Sequence, residues 1–324
     1  MWQTVGHEWA VALLERALAT RHTAQAYLFT GAPNTGKTHL ARELAAALNC
    51  TGAEPPCGQC WSCAHIAQGT HPDVMLVEPD GARIKIDQVR SLQHDLSLSP
   101  YRGRWRACII TDFQLATTEA ANALLKTLEE PPAHAVLLLT ATDASLLLPT
   151  IVSRCQVLAL RAVPADQIAR ALVSRWQVRE DRAQLLARLS AGRVGWAIRA
   201  AQDPTILADR EKHLETLLSL LRQGRAARIT AAERLAKLDD LPNIIRLWQA
   251  WWRDLLLVQN GCEDLVTNVD SLDDLRLWAA RGGAASAPAA LREAETALSR
   301  LEQNVNPRLA VEVMLLGWGI AAAA

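Results

Sequence analysis

Two patterns of hydrophobic and polar positions divide the 324-residue chain. In the first half, short apolar runs at 27–30, 74–77, 107–111 and 135–140 alternate with segments of helical spacing. Uninterrupted apolar runs of this length are typical of strands that are buried on both faces of a parallel sheet. From about Val163 onward, Leu-, Ala- and Arg-rich stretches with helical spacing replace these runs. The pattern predicts an α/β domain with a parallel sheet and flanking helices, followed by all-helical structure.

Prolines suggest where the domains meet. Pro164 can open the first helix of a new unit, because a proline is tolerated in the first turn of a helix. A second boundary fits at Asp203-Pro204. We therefore predict three domains, at 1–162, 163–203 and 204–324, with the last two helical.

Composition limits the function more than the fold. Half of the residues are apolar, as in a globular protein with a large core, and 34 basic residues balance 34 acidic ones. No overall positive field is present to hold nucleic acid, so any DNA contact requires a local patch. The N-terminus does not resemble a secretory signal and no run reaches membrane-spanning length. We expect a cytoplasmic protein with no membrane contact.

A phosphate-binding loop follows the first apolar run. The segment fits G-x-x-x-x-G-K-[ST] at every fixed position, and its residues are Gly31, Ala32, Pro33, Asn34, Thr35, Gly36, Lys37 and Thr38. Lys37 would supply a positive charge to the β and γ phosphates of ATP, and Thr38 a hydroxyl to Mg²⁺. The alternative is a strand-to-helix turn that only resembles this motif. The flanking apolar run and helical segment favour the phosphate loop.

A second motif lies at the end of the third apolar run, where Asp112 follows Ile109-Ile110-Thr111. An acidic residue at this place beside a phosphate loop is the expected Walker B carboxylate on the Mg²⁺ side. The next residue is Phe113. A hydrolytic site needs a carboxylate there to orient the attacking water, and an aromatic ring cannot accept a proton. We expect ATP binding with poor hydrolysis, so that the chain is at most a weak ATPase.

Four of the seven cysteines form a cluster in the sequence. Cys50, Cys57, Cys60 and Cys63 have the spacing C-x₆-C-x₂-C-x₂-C. Four thiolates brought together by short loops make a closed tetrahedral Zn²⁺ site of the structural type, with no open position for catalysis. The alternative is four free thiols on a helix and loop, which the repeated C-x₂-C spacing disfavours.

Two further groups of residues have alternative interpretations. Trp248, Trp251, Trp252 and Leu255 share one helical face, which favours core packing over an interface between subunits. Alternate arginines at 102, 104 and 106 point the same way in an extended segment. They could contact DNA phosphates, and a solvated face is an equal alternative.

Three strings in the sequence resemble signatures of one family. These are 122–132 (NALLKTLEEPP), 69–73 (GTHPD) and 153–155 (SRC). They resemble the δ′ and γ/τ clamp-loader subunits of bacterial DNA polymerase III. The resemblance implies an AAA+ domain, a helical lid and a helical collar. It also implies a five-subunit ring with γ/τ and δ partners, which loads a sliding clamp onto primer-template DNA.

The resemblance assigns roles to two more residues. Arg154, in the SRC string, matches an arginine that reaches the γ phosphate of ATP held by a neighbouring subunit. An arginine suits this role because its planar guanidinium stays charged and grips two phosphoryl oxygens at once. The alternative is a surface arginine in a turn. Thr142 matches the family's polar sensor 1 residue.

Departures from the family pattern favour one kind of subunit. The γ/τ motor subunits carry an Asp-Glu pair where this chain has Asp112-Phe113. They also carry a lid arginine at the sensor 2 position, where alignment places Gly195, although a shifted register could bring in Arg193 or Arg199. The cysteine spacing is two residues shorter than the usual C-x₈-C, which a loop can absorb. These departures favour a δ′-type stator over a γ/τ-type motor, while the intact phosphate loop does not discriminate.

Other functions fit the sequence less well. A stand-alone zinc-bearing DNA-binding protein would show a basic excess that this chain lacks. The chain also shows no acidic metal pair of the kind that nucleotidyl transfer needs. The DNA-directed DNA polymerase activity of the holoenzyme, a nucleotidyltransferase, is therefore expected to reside in other chains.

Overall fold

The chain divides into two compact units. The computed structural model describes residues 2–281, 287–303 and 305–318. The first unit comprises residues 1–175 and 192–196, and the second comprises residues 176–191 and 197–324. All five strands lie in the first unit, and the described part of the second unit is helical. The predicted α/β domain and helical C-terminal region are confirmed, and the division into three domains stays a prediction.

One parallel sheet forms the centre of the first unit. Its strand order is β2-β3-β4-β1-β5. Strand β4 separates β1, which precedes the phosphate loop, from β3, which precedes Asp112, and this is the order of an AAA+ P-loop domain. The strands are β1 Ala26–Thr30, β2 Val74–Val77, β3 Arg106–Ile110, β4 Ala135–Ala141 and β5 Gln156–Ala159.

Strands that are buried along their whole length are the easiest to recognise in the sequence, because all their residues are apolar or nearly so. Strands β1, β3 and β4 are buried throughout, so their apolar runs are continuous. Side chains alternate between two core layers, with Leu28 in one and Tyr27 and Phe29 in the other. Strands β2 and β5 are both four-residue edge strands with partly exposed positions, but β2 is apolar throughout, whereas β5 begins with Gln156 and was not predicted.

Helices cover both faces of the sheet. Helix α5 is capped by Thr117, whose Oγ1 accepts from the Ala120 N–H at 3.2 Å, and it ends before Pro131 and Pro132, which cannot continue it. The first helices are α1 Glu8–Ala19, α2 Lys37–Asn49, α3 Trp61–Gln68, α4 Ile86–Ser97, α5 Thr118–Glu129, α6 Pro149–Val152 and α7 Ala165–Trp176. Short 3₁₀ turns occupy Phe113–Leu115 and Ala144–Leu146.

The remaining helices build the second unit, apart from the first residues of α9, which belong to the first unit. They are α8 Glu180–Leu189, α9 Val194–Gln202, α10 Thr205–Arg222, α11 Arg225–Leu235, α12 Leu241–Gln259, α13 Leu272–Ala280, α14 Ala287–Glu302 and α15 Pro307–Gly317. Two 3₁₀ turns, Glu263–Leu265 and Val269–Ser271, join α12 to α13. None of the helices in the described ranges is both long and apolar enough to cross a bilayer.

Tryptophans fill the centre of the second unit. Trp248, Trp251, Trp252 and Leu255 are all fully buried on one face of α12. Trp318 meets Trp248 and Trp252 edge to face, with ring centroids 5.7 Å apart in both pairs. Such contacts add to the stabilisation from burial alone. Core packing is therefore confirmed for this set, and it does not form a subunit interface.

Candidate functional site

The phosphate loop connects β1 to α2 and is tied to the neighbouring strand. The Gly31 N–H lies 3.2 Å from the carbonyl oxygens of both Ala141 and Thr142, at the end of β4. Within the loop, the Thr35 hydroxyl donates to the Ala32 carbonyl at 2.9 Å. The sheet thus fixes the start of the loop, and the loop closes on itself over 32–35.

Two glycines give this loop its shape. Gly31 has φ +144°, and a Cβ there would lie 2.3 Å from the Leu160 carbonyl oxygen. Gly36 has φ +100°, in the left-handed region, and its missing Cβ faces open space. No side chain caps the N-terminus of α2, which begins at Lys37. The N–H groups of its first turn are therefore available to an anion, as a phosphate site requires.

Lys37 is buried, and its ammonium lies inside the loop. Its Nζ donates to the carbonyl oxygens of Gly31 at 2.7 Å and Ala32 at 2.9 Å. Burial lowers the pKa of Lys37, and the negative charge of Asp112 partly offsets this. The chain thus holds one cation in the loop with one carboxylate near enough to interact with it. This arrangement fits the phosphates and the Mg²⁺ of a nucleotide.

Asp112 is held at the end of β3 by its neighbours. It adopts φ +49°, and its N–H donates to Thr140 Oγ1 at 3.0 Å. Gln114 then bridges two predicted residues: its Nε2 donates to Asp112 Oδ1 at 3.3 Å, and its Oε1 accepts from the Thr142 N–H at 3.3 Å. The structure therefore brings Asp112, Thr142 and the phosphate loop together. Gln114 was missed, because no local motif marks it.

Phe113 points away from this site. Its side chain is buried in the apolar layer that contains Val89, Leu124 and Leu137. An aromatic ring in that layer cannot take part in proton transfer. The position directly after Asp112 therefore supplies packing instead of a base.

Two further residues contact the loop, one of which the sequence analysis missed. His7 is buried, and its Nε2 lies 3.0 Å from the Thr35 carbonyl. Burial lowers the pKa of His7, so the ring is held in its neutral form. Gly195 donates its N–H to the Asn34 carbonyl at 2.8 Å, and a Cβ there would lie 3.1 Å from the same oxygen. Segments distant in sequence thus bind two adjacent carbonyl groups of the loop, those of Asn34 and Thr35.

The four cysteines meet at the far end of α2. With 13 residues at about 1.5 Å each, α2 places them roughly 20 Å from the phosphate loop. All four Sγ atoms lie within 4.8 Å of one another, and those of Cys50 and Cys60 are 3.9 Å apart. Sulfur atoms at the corners of a tetrahedron with about 2.3 Å to its centre are about 3.8 Å apart. The predicted cluster is therefore assembled, with metal-site dimensions.

Backbone N–H groups surround these sulfurs. Cys50 Sγ accepts from Gly52 at 3.3 Å and from Cys57 at 3.4 Å, and Cys57 Sγ accepts from Cys60 at 3.2 Å. At Cys50 and Cys63, burial raises the pKa above its usual value. Burial also raises the pKa of the Cys60 thiol, but N–H donors from Thr51 and Cys63, together with hydrogen bonds to the Cys63 and Cys57 side chains, outweigh it and bring the pKa to about 6. Such donors stabilise thiolates, which are the form that binds a metal. The residues present fit a structural metal site.

Arg154 lies on the surface after α6 with its own set of partners. Its Nη2 is 2.7 Å from Glu129 Oε1, and its Nη1 donates to the Thr150 carbonyl at 2.9 Å. Both charged side chains remain partly exposed. None of these contacts involves the phosphate loop of the same chain, as expected for an arginine that would act on a neighbour. Its role in trans stays a prediction.

The three alternate arginines do not share one face. Arg102 and Arg104 are exposed, but Arg106 is buried and donates from Nε at 3.2 Å and Nη2 at 3.1 Å to the Ser99 carbonyl. It also lies 3.9 Å from the buried carboxylate of Asp73. The interpretation of Arg106 as a DNA contact or a solvated residue was wrong. Arg106 begins β3, where the sheet buries it against Asp73, a partner distant in sequence.

Comparison with known proteins agrees with this geometry. The family described as "DNA polymerase III, delta subunit" matches residues 6–164, and its C-terminal family matches residues 204–319. The delta' subunit of Bacillus subtilis DNA polymerase III is 30% identical over 310 residues, which cover 94% of this chain and 93% of that protein. The tau subunit of Salmonella typhimurium is 42% identical over 167 residues, covering 51% of this chain.

Coverage differs between these relatives. The chain spans only 26% of the Salmonella typhimurium tau subunit and 30% of that of Escherichia coli. A solved structure of a gamma-subunit-related protein from Thermotoga maritima aligns over 95% of this chain and 99% of its own, at 20% identity and a TM-score of 0.46. The delta' subunit matches along nearly its whole length. Together with the two family matches, this shows that the chain belongs to the DNA polymerase III delta' subunit family.

Proposed function

We propose that this chain is a stator-type clamp-loader subunit, which binds ATP with little hydrolysis and acts on a neighbour's ATP through Arg154. One observation carries the proposal. The phosphate loop is complete, yet the residue after Asp112 is Phe113, which is buried in the core. A site that can hold the phosphates of ATP but has no base to activate water is expected to bind ATP and to hydrolyse it slowly.

Each residue of the site has a defined task in this proposal. Lys37 and the N–H groups at the start of α2 would hold the phosphates of ATP. Thr38 and Asp112 would hold the Mg²⁺ side, and Thr142 would lie beside them as a polar contact. Bound Mg²⁺ would neutralise phosphate charge. Gln114 positions both Asp112 and the Thr142 backbone through its hydrogen bonds.

Gly195 supports the stator assignment in a second way. At the proposed sensor 2 position, it offers a backbone N–H to Asn34 and no cation. The close approach of the Asn34 carbonyl leaves no room for a larger residue without a local shift. This contact would hold the start of α9 against the phosphate loop whether or not a γ phosphate is present.

The four-cysteine cluster would hold Zn²⁺ in a structural role. All four ligand positions come from Cys50, Cys57, Cys60 and Cys63, which leaves none for water or substrate. We propose γ/τ and δ subunits as partners in a five-subunit ring in the cytoplasm, at the replication fork of the nucleoid. The sliding clamp and primer-template DNA would be reached through that complex.

Nucleotide binding and turnover by the purified chain test the first part. We expect a labelled, slowly hydrolysed ATP analogue to bind in the presence of Mg²⁺, with steady-state hydrolysis near background. Lys37→Ala should abolish binding, because it removes the one cation inside the loop. Lys126→Ala, which removes an exposed lysine on α5, should bind normally. Brisk turnover that Lys37→Ala abolishes would instead identify a motor subunit of the γ/τ type.

A reconstituted complex tests Arg154. Its removal should lower ATP hydrolysis by the neighbouring subunit about 10³-fold or more, in the range known for arginine fingers. Arg170→Ala is the matched control, because Arg170 is also an exposed arginine paired with a carboxylate, at 2.7 Å from Asp166. Equal turnover in the Arg154→Ala and Arg170→Ala complexes would show that Arg154 is an ordinary surface residue.

A further inference from the structure

The segment Tyr101–Trp105, which we term the arginine loop, lies between α4 and β3. Its last residue, Trp105, packs against one core layer of the sheet, and the residues before it face outward. Tyr101 is 82% exposed, and Arg102 and Arg104 are also exposed. An ordered loop with exposed charged and aromatic groups requires its backbone to be held from within, because those side chains contribute little packing.

Two buried side chains hold the entire backbone of this loop. Asp73 accepts the N–H groups of Tyr101 at 2.6 Å, Arg102 at 2.8 Å and Gly103 at 2.6 Å. Asn49 Oδ1 accepts the next two N–H groups, from Arg104 at 2.8 Å and Trp105 at 2.9 Å. Five consecutive N–H groups therefore depend on two residues from elsewhere in the chain.

Both of these residues flank the cysteine cluster. Asn49 ends α2 and directly precedes Cys50, and it is fixed by a bond from its Nδ2 to the Ala45 carbonyl at 3.2 Å. Asp73 follows α3, the helix that begins after Cys60 and carries Cys63. The cysteine cluster thus connects the end of α2, where Asn49 lies, to α3, which precedes Asp73.

A third contact links the cluster to the loop directly. Trp61 lies between Cys60 and Cys63, and the Arg102 guanidinium carbon lies 3.8 Å from the centroid of its ring. The ring of Trp61 also stacks on that of His65, one turn along α3, with ring centroids 3.9 Å apart. A cation stacked on an aromatic ring at this distance is favourable. Any movement of Trp61 would therefore release Arg102.

We propose that the four-cysteine site, when it holds its metal, sets the conformation of the arginine loop. Metal ligation would fix Cys50 against Cys60 and Cys63, and hence Asn49 and Trp61 relative to each other. Structural metal sites contribute folding free energy to the segments that supply their ligands. That free energy would reach the loop through Asn49 and Trp61. The inference rests on the proposed metal site and extends its effect to a surface that contains none of the ligands.

Hydrogen exchange of the full chain, with Zn²⁺ bound and after chelation, tests this coupling. We expect chelation to accelerate exchange at the N–H groups of Arg104 and Trp105, which Asn49 accepts, and of Arg102, which contacts Trp61, by about tenfold or more. The N–H groups of β3 at 107–110 should be unaffected, because the sheet holds them. If the N–H groups of Cys60 and Cys63 lose protection while 101–105 do not change, the metal orders only its own loop and the inference is wrong.

Metal content separates this inference from the proposed function. A chain that binds no Zn²⁺ under reducing conditions refutes the proposed metal site. A chain that binds Zn²⁺ but shows a loop insensitive to chelation refutes only the coupling.

Variants test the two links without disturbing the ligands. Trp61→Ala should retain Zn²⁺ and accelerate exchange at Arg102 in particular. Asn49→Ala should accelerate exchange at Arg104 and Trp105, while the bonds to Asp73 still protect 101–103. Trp9→Ala is the matched control, since Trp9 is a half-exposed tryptophan on α1, and the loop should not respond to it. Unchanged exchange in both test variants would overturn the proposed path.

Discussion

One buried aspartate fastens a loop in each of the two units. Asp73 in the first unit accepts three N–H groups from the arginine loop and lies beside Arg106. Asp254, on α12 in the second unit, accepts the N–H groups of Thr267 at 2.9 Å and Asn268 at 2.7 Å. Asp254 also pairs with its own neighbour Arg253 at 2.6 Å. The two carboxylates are fully buried and use the same chemistry.

The two loops differ in where their side chains point. In the arginine loop, Tyr101 and the two exposed arginines face outward, and the backbone hydrogen bonds to Asp73 lie beneath them. In the loop of the second unit, which contains Thr267 and Asn268, the Asn268 side chain is buried. Its Nδ2 donates to Asp254 at 2.7 Å, and its Oδ1 accepts from Arg210 at 2.5 Å. Asp270 pairs with the same arginine. A buried carboxylate can therefore fix the backbone of a loop whose side chains are exposed to solvent, and also that of a loop whose side chains pack into the protein. The exposure of the side chains distinguishes the two loops.

The largest expected effect is that of Asp254→Ala. It leaves the N–H groups of Thr267 and Asn268 and the Asn268 side-chain amide without their acceptor. Each buried donor left unsatisfied costs about 1–3 kcal/mol, so we expect a total loss of about 3 kcal/mol or more. Urea unfolding followed by tryptophan fluorescence measures this, because the tryptophan core lies in the same unit. Asp239→Ala removes an exposed aspartate and should change the free energy of unfolding by less than about 0.5 kcal/mol. Similar midpoints for the two variants would contradict the fastening role.

Asn268→Ala should destabilise the second unit by about 2–3 kcal/mol, because it removes bonds to two buried charged groups. The same unfolding measurement applies. The double variant Asp254→Ala/Asn268→Ala should lose less unfolding free energy than the sum of the two single losses, since both residues belong to one hydrogen-bond network. Additive effects would show that the loop and α12 are held independently.

Asp73→Asn should destabilise the first unit by about 1–2 kcal/mol, because the amide group cannot accept from all three N–H groups. Burial raises the pKa of the Asp73 carboxyl, but the N–H groups of Gly103, Tyr101 and Arg102 outweigh this and hold the pKa below its usual range. The carboxylate therefore stabilises the fold fully above its unfolded pKa of about 3.9 and loses that effect as pH falls through the lower native value. Unfolding from pH 7 to pH 3 should show the difference between wild type and variant shrinking below about pH 4. A difference that is constant across this range would refute the assignment.

Tyr101→Ala should have the smallest effect on stability, within about 0.5 kcal/mol, because the side chain is largely exposed. Circular dichroism melting measures it, and Asn268→Ala is the contrasting variant in the other loop. A large loss of stability in Tyr101→Ala would mean that the outward side chains also support the fold, and would remove the distinction between the two loops.

Local patterns in the sequence predicted much of the fold and two parts of the site. The phosphate loop and the cysteine cluster have their key residues within a few positions, so spacing alone identifies them. The continuous apolar runs of β1, β3 and β4 likewise follow from burial on both faces.

The remaining contacts depend on distant pairs. His7 meets Thr35, Asn49 meets Arg104, and Asp73 meets the loop 28 to 30 residues later. Neither partner of such a pair has a distinctive local pattern. The error at Arg106 has the same origin, because alternation in an extended segment predicts a shared face only until a partner distant in sequence buries one member.

Strand β4 touches both halves of the proposed nucleotide site. Its Thr140 hydroxyl accepts from Asp112, and the carbonyl of its last residue, Ala141, lies within hydrogen-bonding distance of the Gly31 N–H. This buried seven-residue strand therefore fixes the distance between the phosphate loop and Asp112. Close-packed interiors deform little, so a substitution that shifts β4 would move both halves together. Strand β4 thus limits how far the sequence around the proposed nucleotide site can change, although we assign none of its side chains to the nucleotide itself.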